Sequence, residues 1–201
     1  CHATKIDTEL NKACRLNTST LRATPLPVLH RLASIAPPYI RRDAITRSGR
    51  KKQINDPRHP LYGHQETRKH LKSRKSFMAV EELGNKTPSD YRLEKWRESD
   101  QHSININEAL PSVSEDLPSE SSLGRKDWVT LNRARSKVGR TGDKLQKWGY
   151  VTSAECPCGE TPQTIDHILC GCPLGPTCTD NDLREVNDMA LLWIQAWRDK
   201  I

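Results

Sequence analysis

Cys156-Pro157-Cys158-Gly159-Glu160-Thr161-Pro162-Gln163-Thr164-Ile165-Asp166-His167-Ile168-Leu169-Cys170-Gly171-Cys172 is the stretch that decides how the C-terminal part of this chain folds. It reads C-x-C-x8-H-x4-C, three thiols and one imidazole within 17 residues. Softness and ligand number both fit one tetrahedral zinc ion. Such an ion takes deprotonated Cys and neutral His, and the chain must fold to gather them, so binding the metal is also local folding. Gly159 frees the backbone just after the second sulfur, where a knuckle turn has to swing back toward the ion. The segment 164–169 reads as a short helix that aims the ring of His167 inward. The predicted ligands are Cys156, Cys158, His167 and Cys172, with one Zn2+ per chain. Cys172 is preferred to Cys170 because the x4 spacing carries it past the helix end; His-x2-Cys170 could also close a site, and Cys178 is a reserve ligand. Two blander readings compete with the metal: a buried thiol cluster in a small helical core, and a disulfide framework.

The rest of the cysteines argue about the compartment. There are seven, five of them between 156 and 178, with Cys1 and Cys14 far away. Secreted disulfide scaffolds spread paired cysteines along the whole chain, so the clustering predicts an intracellular protein, nuclear or cytoplasmic. No apolar run approaches the roughly 20 residues that span a membrane, and no signal peptide is read.

Working outward from the knuckle, residues 125–201 read as one small helical unit. Trp128, Leu131, Ala134 and Val138 form an apolar stripe, with Arg133, Arg135, Lys137 and Arg140 as its cationic flank. Thr141 caps a short helix bearing Leu145 and Trp148, which Gly149 stops. A last helix opens at Asp180 or Asn181, and Leu183, Val186, Ala190, Trp193, Ile194, Trp197 and Ile201 lie on one side of it. Trp128, Trp148, Trp193 and Trp197 are expected to pack around the metal.

Upstream of that unit the character changes. Residues 98–124 hold six acidic residues, no Lys or Arg, many Ser, and Pro111 and Pro118; they read as a flexible acidic linker. Residues 56–97 read as a basic connector that includes a basic segment from Gln65 to Phe77. Residues 1–55 read as three short helices divided by prolines. The first carries Ile6, Leu10 and Cys14; the second carries Val28, Leu29, Leu32 and Ile35; the third carries Ile40, Ala44 and Ile45. The expected fold class is therefore mainly α, with two small helical units and a connector between them.

Charge points to the partner. The net charge is +7, and between Arg31 and Lys75 there are 13 basic residues against 3 acidic ones. A surface built from Arg41, Arg42, Arg47, Arg50, Lys51 and Lys52, with Arg133, Arg135, Lys137 and Arg140, would meet the phosphates of RNA or DNA. The plain alternative for any such charge run is a solvated face. With 34% hydrophobic residues and a single Phe, the chain is too poor in apolar groups for one large core, which favours small packed units.

Several blocks together resemble a family. Thr24-Pro25-Leu26-Pro27-Val28-Leu29, then Ile35-Ala36-Pro37-Pro38-Tyr39-Ile40-Arg41-Arg42, is similar to the region just after the palm of non-LTR retrotransposon reverse transcriptases, the jockey-like elements above all. Leu131-Asn132-Arg133-Ala134-Arg135-Ser136, Gly139-Arg140-Thr141, Trp148-Gly149 and the knuckle itself resemble that family's C-terminal region, in the same order. The resemblance implies that 1–55 is the helical thumb of an RNA-directed DNA polymerase and that 125–201 is its post-polymerase unit with a zinc knuckle at 156–172. Both would contact RNA or DNA. Polymerases of this kind work with two metal ions held by palm carboxylates, usually an Asp-Asp pair, and this sequence contains no such pair. The chain also begins at Cys1, with Met78 and Met189 as its methionines. The expectation is a non-catalytic piece whose partner is the missing upstream polymerase portion. The segment 16–21, Leu-Asn-Thr-Ser-Thr-Leu, departs from the family's more apolar pattern and weakens a thumb helix there. A zinc-stapled protein-interaction module is the alternative; its mark would be an exposed apolar patch around Trp193 and Trp197.

Overall fold

Prolines and short polar caps punctuate the chain into helices. A computed structural model describes residues 2–64, 77–101 and 107–201. Among the described residues all regular structure is helical, as the sequence predicts: α1 (His2–Thr18), α2 (Leu26–Ala33), α3 (Pro38–Asn55), α4 (Pro88–Gln101), α5 (Arg125–Arg135), α6 (Gly142–Lys147), α7 (Ile165–Cys170), α8 (Asp180–Glu185) and α9 (Asp188–Trp197), with short 3-10 turns at Phe77–Ala79 and Ser119–Ser122. Most of the basic segment 65–77 and the part of the acidic stretch at 102–106 lie outside the described residues.

The chain divides into two compact units, and their boundaries differ from those read in the sequence. One unit joins Cys1–Ile35 to Ile104–Ile201; the other is Ala36–Ser103. Helices α1 and α2 therefore belong with the C-terminal unit and not with α3. The reason lies at the end of α1. Thr18 turns its hydroxyl back onto the Cys14 carbonyl at 2.8 Å, and Ser19 takes a left-handed φ of 52°, so the helix stops within the Thr/Ser-rich segment. The carbonyls left open there are taken up by α5. Arg125 donates to the Leu16 and Asn17 carbonyls at 2.7 and 2.6 Å, Trp128 Nε1 to Asn17 at 3.0 Å, and Asn132 Nδ2 to Thr18 at 3.2 Å. A helix C-terminus leaves its last carbonyls unpaired and negative, and a cationic guanidinium is suited to both needs.

Helix α2 packs on α1 through Leu29, Ala33 and Cys14, with Leu10 and Ile35 at the edge. Ile6, expected on this stripe, is 66% exposed, because α2 is too short to reach the first turns of α1. The acidic stretch is not a free linker where it is described. Ala109 and Leu110 are buried, Asn107 Nδ2 donates to the Arg135 carbonyl at 2.6 Å, and Arg31 Nε donates to the Pro111 carbonyl at 3.1 Å. The main core of this unit gathers Trp128, Leu131 and Ala134 of α5, Ile165, Ile168 and Leu169 of α7, Leu183 of α8, and Trp193, Ile194 and Trp197 of α9. Full burial of a large apolar side chain contributes about 1.5–3 kcal/mol. The predicted last helix is in fact two. Val186 adopts a left-handed φ of 51°, and Asn187 restarts the chain by accepting the Ala190 N–H at 3.1 Å.

The Ala36–Ser103 unit is simpler. Helices α3 and α4 pack through Ala44, Leu83 and Tyr91, with Ile40 and Trp96 also buried. Ile45, expected beside Ala44, is 69% exposed. A polar network reinforces this small core. Arg47 Nε donates to Asp43 at 2.9 Å and its Nη1 to the Glu81 carbonyl at 3.0 Å, its guanidinium lies 5.2 Å from the Tyr91 ring centroid, and Tyr91 donates its hydroxyl proton to Asp43.

Candidate metal centre

The knuckle is built by backbone hydrogen bonds between residues close in sequence. The Cys156 N–H bonds the Glu160 carbonyl at 2.8 Å, and the Gly159 N–H returns to the Cys156 carbonyl at 2.8 Å. Gly159 sits at φ +93°, a conformation L side chains rarely adopt, which is what its place after the second sulfur called for. The Gln163 N–H reaches the Ala154 carbonyl at 2.8 Å and brings the chain back to the start of α7. Thr164 caps that helix by accepting the His167 N–H at 3.0 Å, which fixes the ring one turn in. The Gly171 N–H closes the helix on the His167 carbonyl at 2.8 Å, and Cys172 follows directly.

These elements bring Cys156, Cys158, His167 and Cys172 together, and their ligand atoms all lie within 4.8 Å of one another. The four residues could hold a metal ion. The sulfurs of Cys156 and Cys172 are 3.8 Å apart, and the Cys158 sulfur is 3.3 Å from His167 Nε2. Tetrahedral coordination with ordinary zinc–sulfur and zinc–nitrogen lengths places two sulfurs about 3.8 Å apart and a sulfur and nitrogen about 3.5 Å apart. These two separations are near those a bound ion imposes, while the cluster as a whole extends to 4.8 Å; a disulfide brings its sulfurs to about 2.05 Å. All four residues are at the unit's interior margin: Cys156 and Cys172 are buried, Cys158 and His167 half-buried.

The surroundings favour charge on the first sulfur. Burial pushes the Cys156 thiol up, but hydrogen bonds from the Cys158 backbone and the Gln163 amide oppose it, and the balance brings it down to about 6. Gln163 Nε2 lies 3.4 Å from that sulfur, while its Oε1 accepts the Gly142 N–H at 2.9 Å. Gln163 therefore ties the knuckle to the start of α6. Nothing in the C-x-C-x8-H-x4-C pattern singled it out, because its role depends on Gly142, 21 residues away. Gly142 allows that approach: a Cβ there would stand 2.8 Å from the Ala154 carbonyl oxygen.

The two other candidate thiols stand apart from the cluster. Cys170 is exposed and points its sulfur at the Cys178 carbonyl, 3.8 Å away. Cys178 is buried, and burial, with Asp182 nearby, pushes its thiol up to about 12.

The cations expected to meet phosphate are placed unevenly. Arg135 is 1% exposed and is a structural residue: it donates to the carbonyls of Leu183 and Arg184 at 2.9 and 3.0 Å and pairs with Glu120 at 2.6 Å. It is removed from the phosphate-contacting set, because the apolar stripe of α5 carries it inward. Lys137 is clasped by Asp166 and Asp180 at 2.9 and 2.5 Å, and Arg133 donates to the Ile201 carbonyl at 2.7 Å. Arg140 is exposed, with no polar partner among the described residues. In the other unit Arg47 is bound up with Asp43, Arg50 donates to Gln53, and Lys51 donates to the Gly84 carbonyl at 2.7 Å. Arg42 and Lys52 are exposed, and Arg41 is half-buried. Trp148 is also displaced from its expected place around the metal. It is 39% exposed at the end of α6, where its N–H bonds the Lys144 carbonyl at 2.9 Å, and the core holds Trp128, Trp193 and Trp197.

Fold and site together define a class: a helical protein in which three cysteines and a histidine converge on one point between a knuckle and a short helix. Compared with family models, curated proteins and solved structures, the chain matches none. Among the described residues no helix is long and apolar enough to cross a membrane.

Proposed function

We propose that this chain is a non-catalytic, zinc-bearing piece of an RNA-directed DNA polymerase of the jockey-like non-LTR retrotransposon kind, and that it binds RNA or DNA. The observation that carries the reading is the convergence of Cys156, Cys158, His167 and Cys172 at the position of the knuckle in that resemblance. A set of three sulfurs and one nitrogen selects zinc over hard cations such as Mg2+ or Ca2+. Four protein ligands leave no open position for water or substrate, so the ion acts as a staple. The free thiols suit a reducing compartment, nuclear or cytoplasmic. The upstream polymerase portion of the same polyprotein would be the covalent partner, and exposed cations such as Arg42, Lys52 and Arg140 would meet phosphates.

The interaction-module alternative is less well supported. It needed an exposed patch at Trp193 and Trp197, and both are buried, with Trp193 Nε1 donating to the Ile168 carbonyl at 2.9 Å. The test is a titration of purified, zinc-loaded protein against labelled RNA and duplex DNA over a range of salt. Binding should weaken as salt rises, with log K falling by about 0.9 per log unit of salt for each duplex phosphate neutralised. Absence of binding at low salt would contradict the reading.

A further inference from the structure

The unit formed by Cys1–Ile35 and Ile104–Ile201 has four tryptophans, and one behaves differently. Trp128, Trp193 and Trp197 are 7%, 0% and 3% exposed, whereas Trp148 is 39% exposed. Two residues on, Tyr150 is 77% exposed. Aromatic rings of this size are ordinarily drawn into a core. Nor is the loop that carries them loosely held. The Trp148 N–H bonds the Lys144 carbonyl and the Tyr150 N–H the Leu145 carbonyl, both at 2.9 Å, and Gln146 Nε2 bonds the Thr152 carbonyl at 3.0 Å. Gly149 makes the turn between the rings at φ +77°. A hydrogen-bonded backbone thus holds both rings at the surface. With Leu21, Leu145 and Arg140 they line an open groove.

The one charged residue among those lining the groove is Arg140, and Lys147 and Arg22 flank the lining residues Trp148 and Leu21 in the chain. Arg140 and Lys147 are exposed, as is Arg22 beside Leu21, and none of the three has a polar partner among the described residues. Between Arg140 and Ser153 the one acidic residue is Asp143. Its carboxylate is occupied by the Thr141 hydroxyl at 2.5 Å and Lys144 Nζ at 3.0 Å. Exposed aromatic faces with unpaired cations at the rim suit one kind of ligand: a strand whose bases stack on the rings while its phosphates meet the cations. A duplex keeps its base faces stacked within itself and offers none to the rings. An apolar peptide would leave the cations without counter-charge.

We propose that Trp148 and Tyr150 form a stacking platform for unpaired bases of single-stranded RNA or DNA, whose phosphates pass Arg22, Arg140 and Lys147. This rests on the nucleic-acid reading above and adds the strand state.

The experiment uses the full zinc-loaded chain, with a short labelled oligothymidylate and a mixed-sequence DNA duplex as probes. Trp148→Ala and Tyr150→Ala should each weaken oligothymidylate binding about 5- to 150-fold and leave duplex affinity unchanged. Trp148→Phe keeps a ring and should keep the affinity. It should also lose the part of the tryptophan fluorescence quenching that oligothymidylate causes in the unsubstituted protein. That readout does not depend on the alanine variants folding. Equal losses on both probes, no loss on either, or quenching that survives in Trp148→Phe would each overturn the platform, with salt-dependent binding left standing. Failure of the unsubstituted protein to bind either probe would sink the platform and the nucleic-acid reading together. Self-association that depends on Trp148, with no response to oligothymidylate, would show that the groove serves a second copy of the chain and would also overturn the proposal.

Discussion

The two compact units solve the same shortage of apolar residues in different ways. The Ala36–Ser103 unit packs α3 on α4 around Ala44, Leu83 and Tyr91 and adds the network of Asp43, Arg47 and Tyr91 beside them. The unit with the metal centre has a far larger core, yet it is assembled from helices of 6 to 17 residues that come from both ends of the chain. Helices as short as α7 and α8 are unstable alone, because nucleation costs more than one or two turns return. What joins the unit is long-range: Arg125 and Trp128 on the end of α1, Arg135 on the end of α8, and the convergence of Cys156, Cys158, His167 and Cys172. Small cores lean on polar cross-links, and here those links join pieces at least 48 residues apart.

That contrast sets the order of the expected effects. Removing the metal should have the largest. Structural zinc in small domains binds with about 10–16 kcal/mol of apparent free energy, and that is folding free energy. Chelation, or Cys156→Ser, should therefore abolish amide exchange protection in α7 and α9 while α4 in the other unit keeps its own. Equal loss in both units would erase the distinction.

Arg135→Ala comes next. It leaves Glu120 and the carbonyls of Leu183 and Arg184 unanswered, and breaking a buried pair of this kind costs about 3–5 kcal/mol. Denaturant unfolding should show the loss, and the salt dependence of nucleic-acid binding should be unchanged in protein that remains folded. Arg140→Ala should do the reverse, with stability kept and the salt slope on duplex DNA smaller by about 0.9.

The smallest effect belongs to the unit of α3 and α4. Burial pushes the Tyr91 hydroxyl up to about 12, and Asp43 adds to the shift. Folding favours the protonated phenol, so this stabilisation is complete below pH 10, the unperturbed value, and is lost as pH rises toward about 12. An ultraviolet titration should find one tyrosine ionising late, and Tyr91→Phe should remove it and flatten the alkaline fall in this unit's stability. A late-ionising tyrosine that persists in Tyr91→Phe would contradict the network.

What was legible in the sequence was what is local. The helices near Pro27, Tyr39 and 164–169 follow from backbone restraint and short-range pattern, and the ligand run follows from spacing within one knuckle and one short helix; the cap expected of Thr141 is not made, its hydroxyl bonding Asp143 instead. The mainly helical fold was readable for the same reason. What was not legible depends on distant partners. Nothing near Asn17 or Thr18 announces that Arg125, Trp128 and Asn132 will cap them, so the sequence pattern alone groups α1 with α3. Arg135 reads as one more cation on a basic flank until the carbonyls of Leu183 and Arg184 are seen around it. Val186 carries no mark of a helix break, and only the cap at Asn187 hints at one. Trp148 reads as core because tryptophans usually are, yet it stands 39% exposed at the end of α6.

In the proposed function one zinc ion, held by Cys156, Cys158, His167 and Cys172, staples the larger unit. Metal analysis of the purified protein beside Cys172→Ser and Cys170→Ser tests it most directly. The account predicts one zinc per chain in the unsubstituted protein, retention in Cys170→Ser, and loss in Cys172→Ser. Zinc lost from Cys170→Ser and kept in Cys172→Ser, or no stoichiometric metal in any of the three, would contradict it.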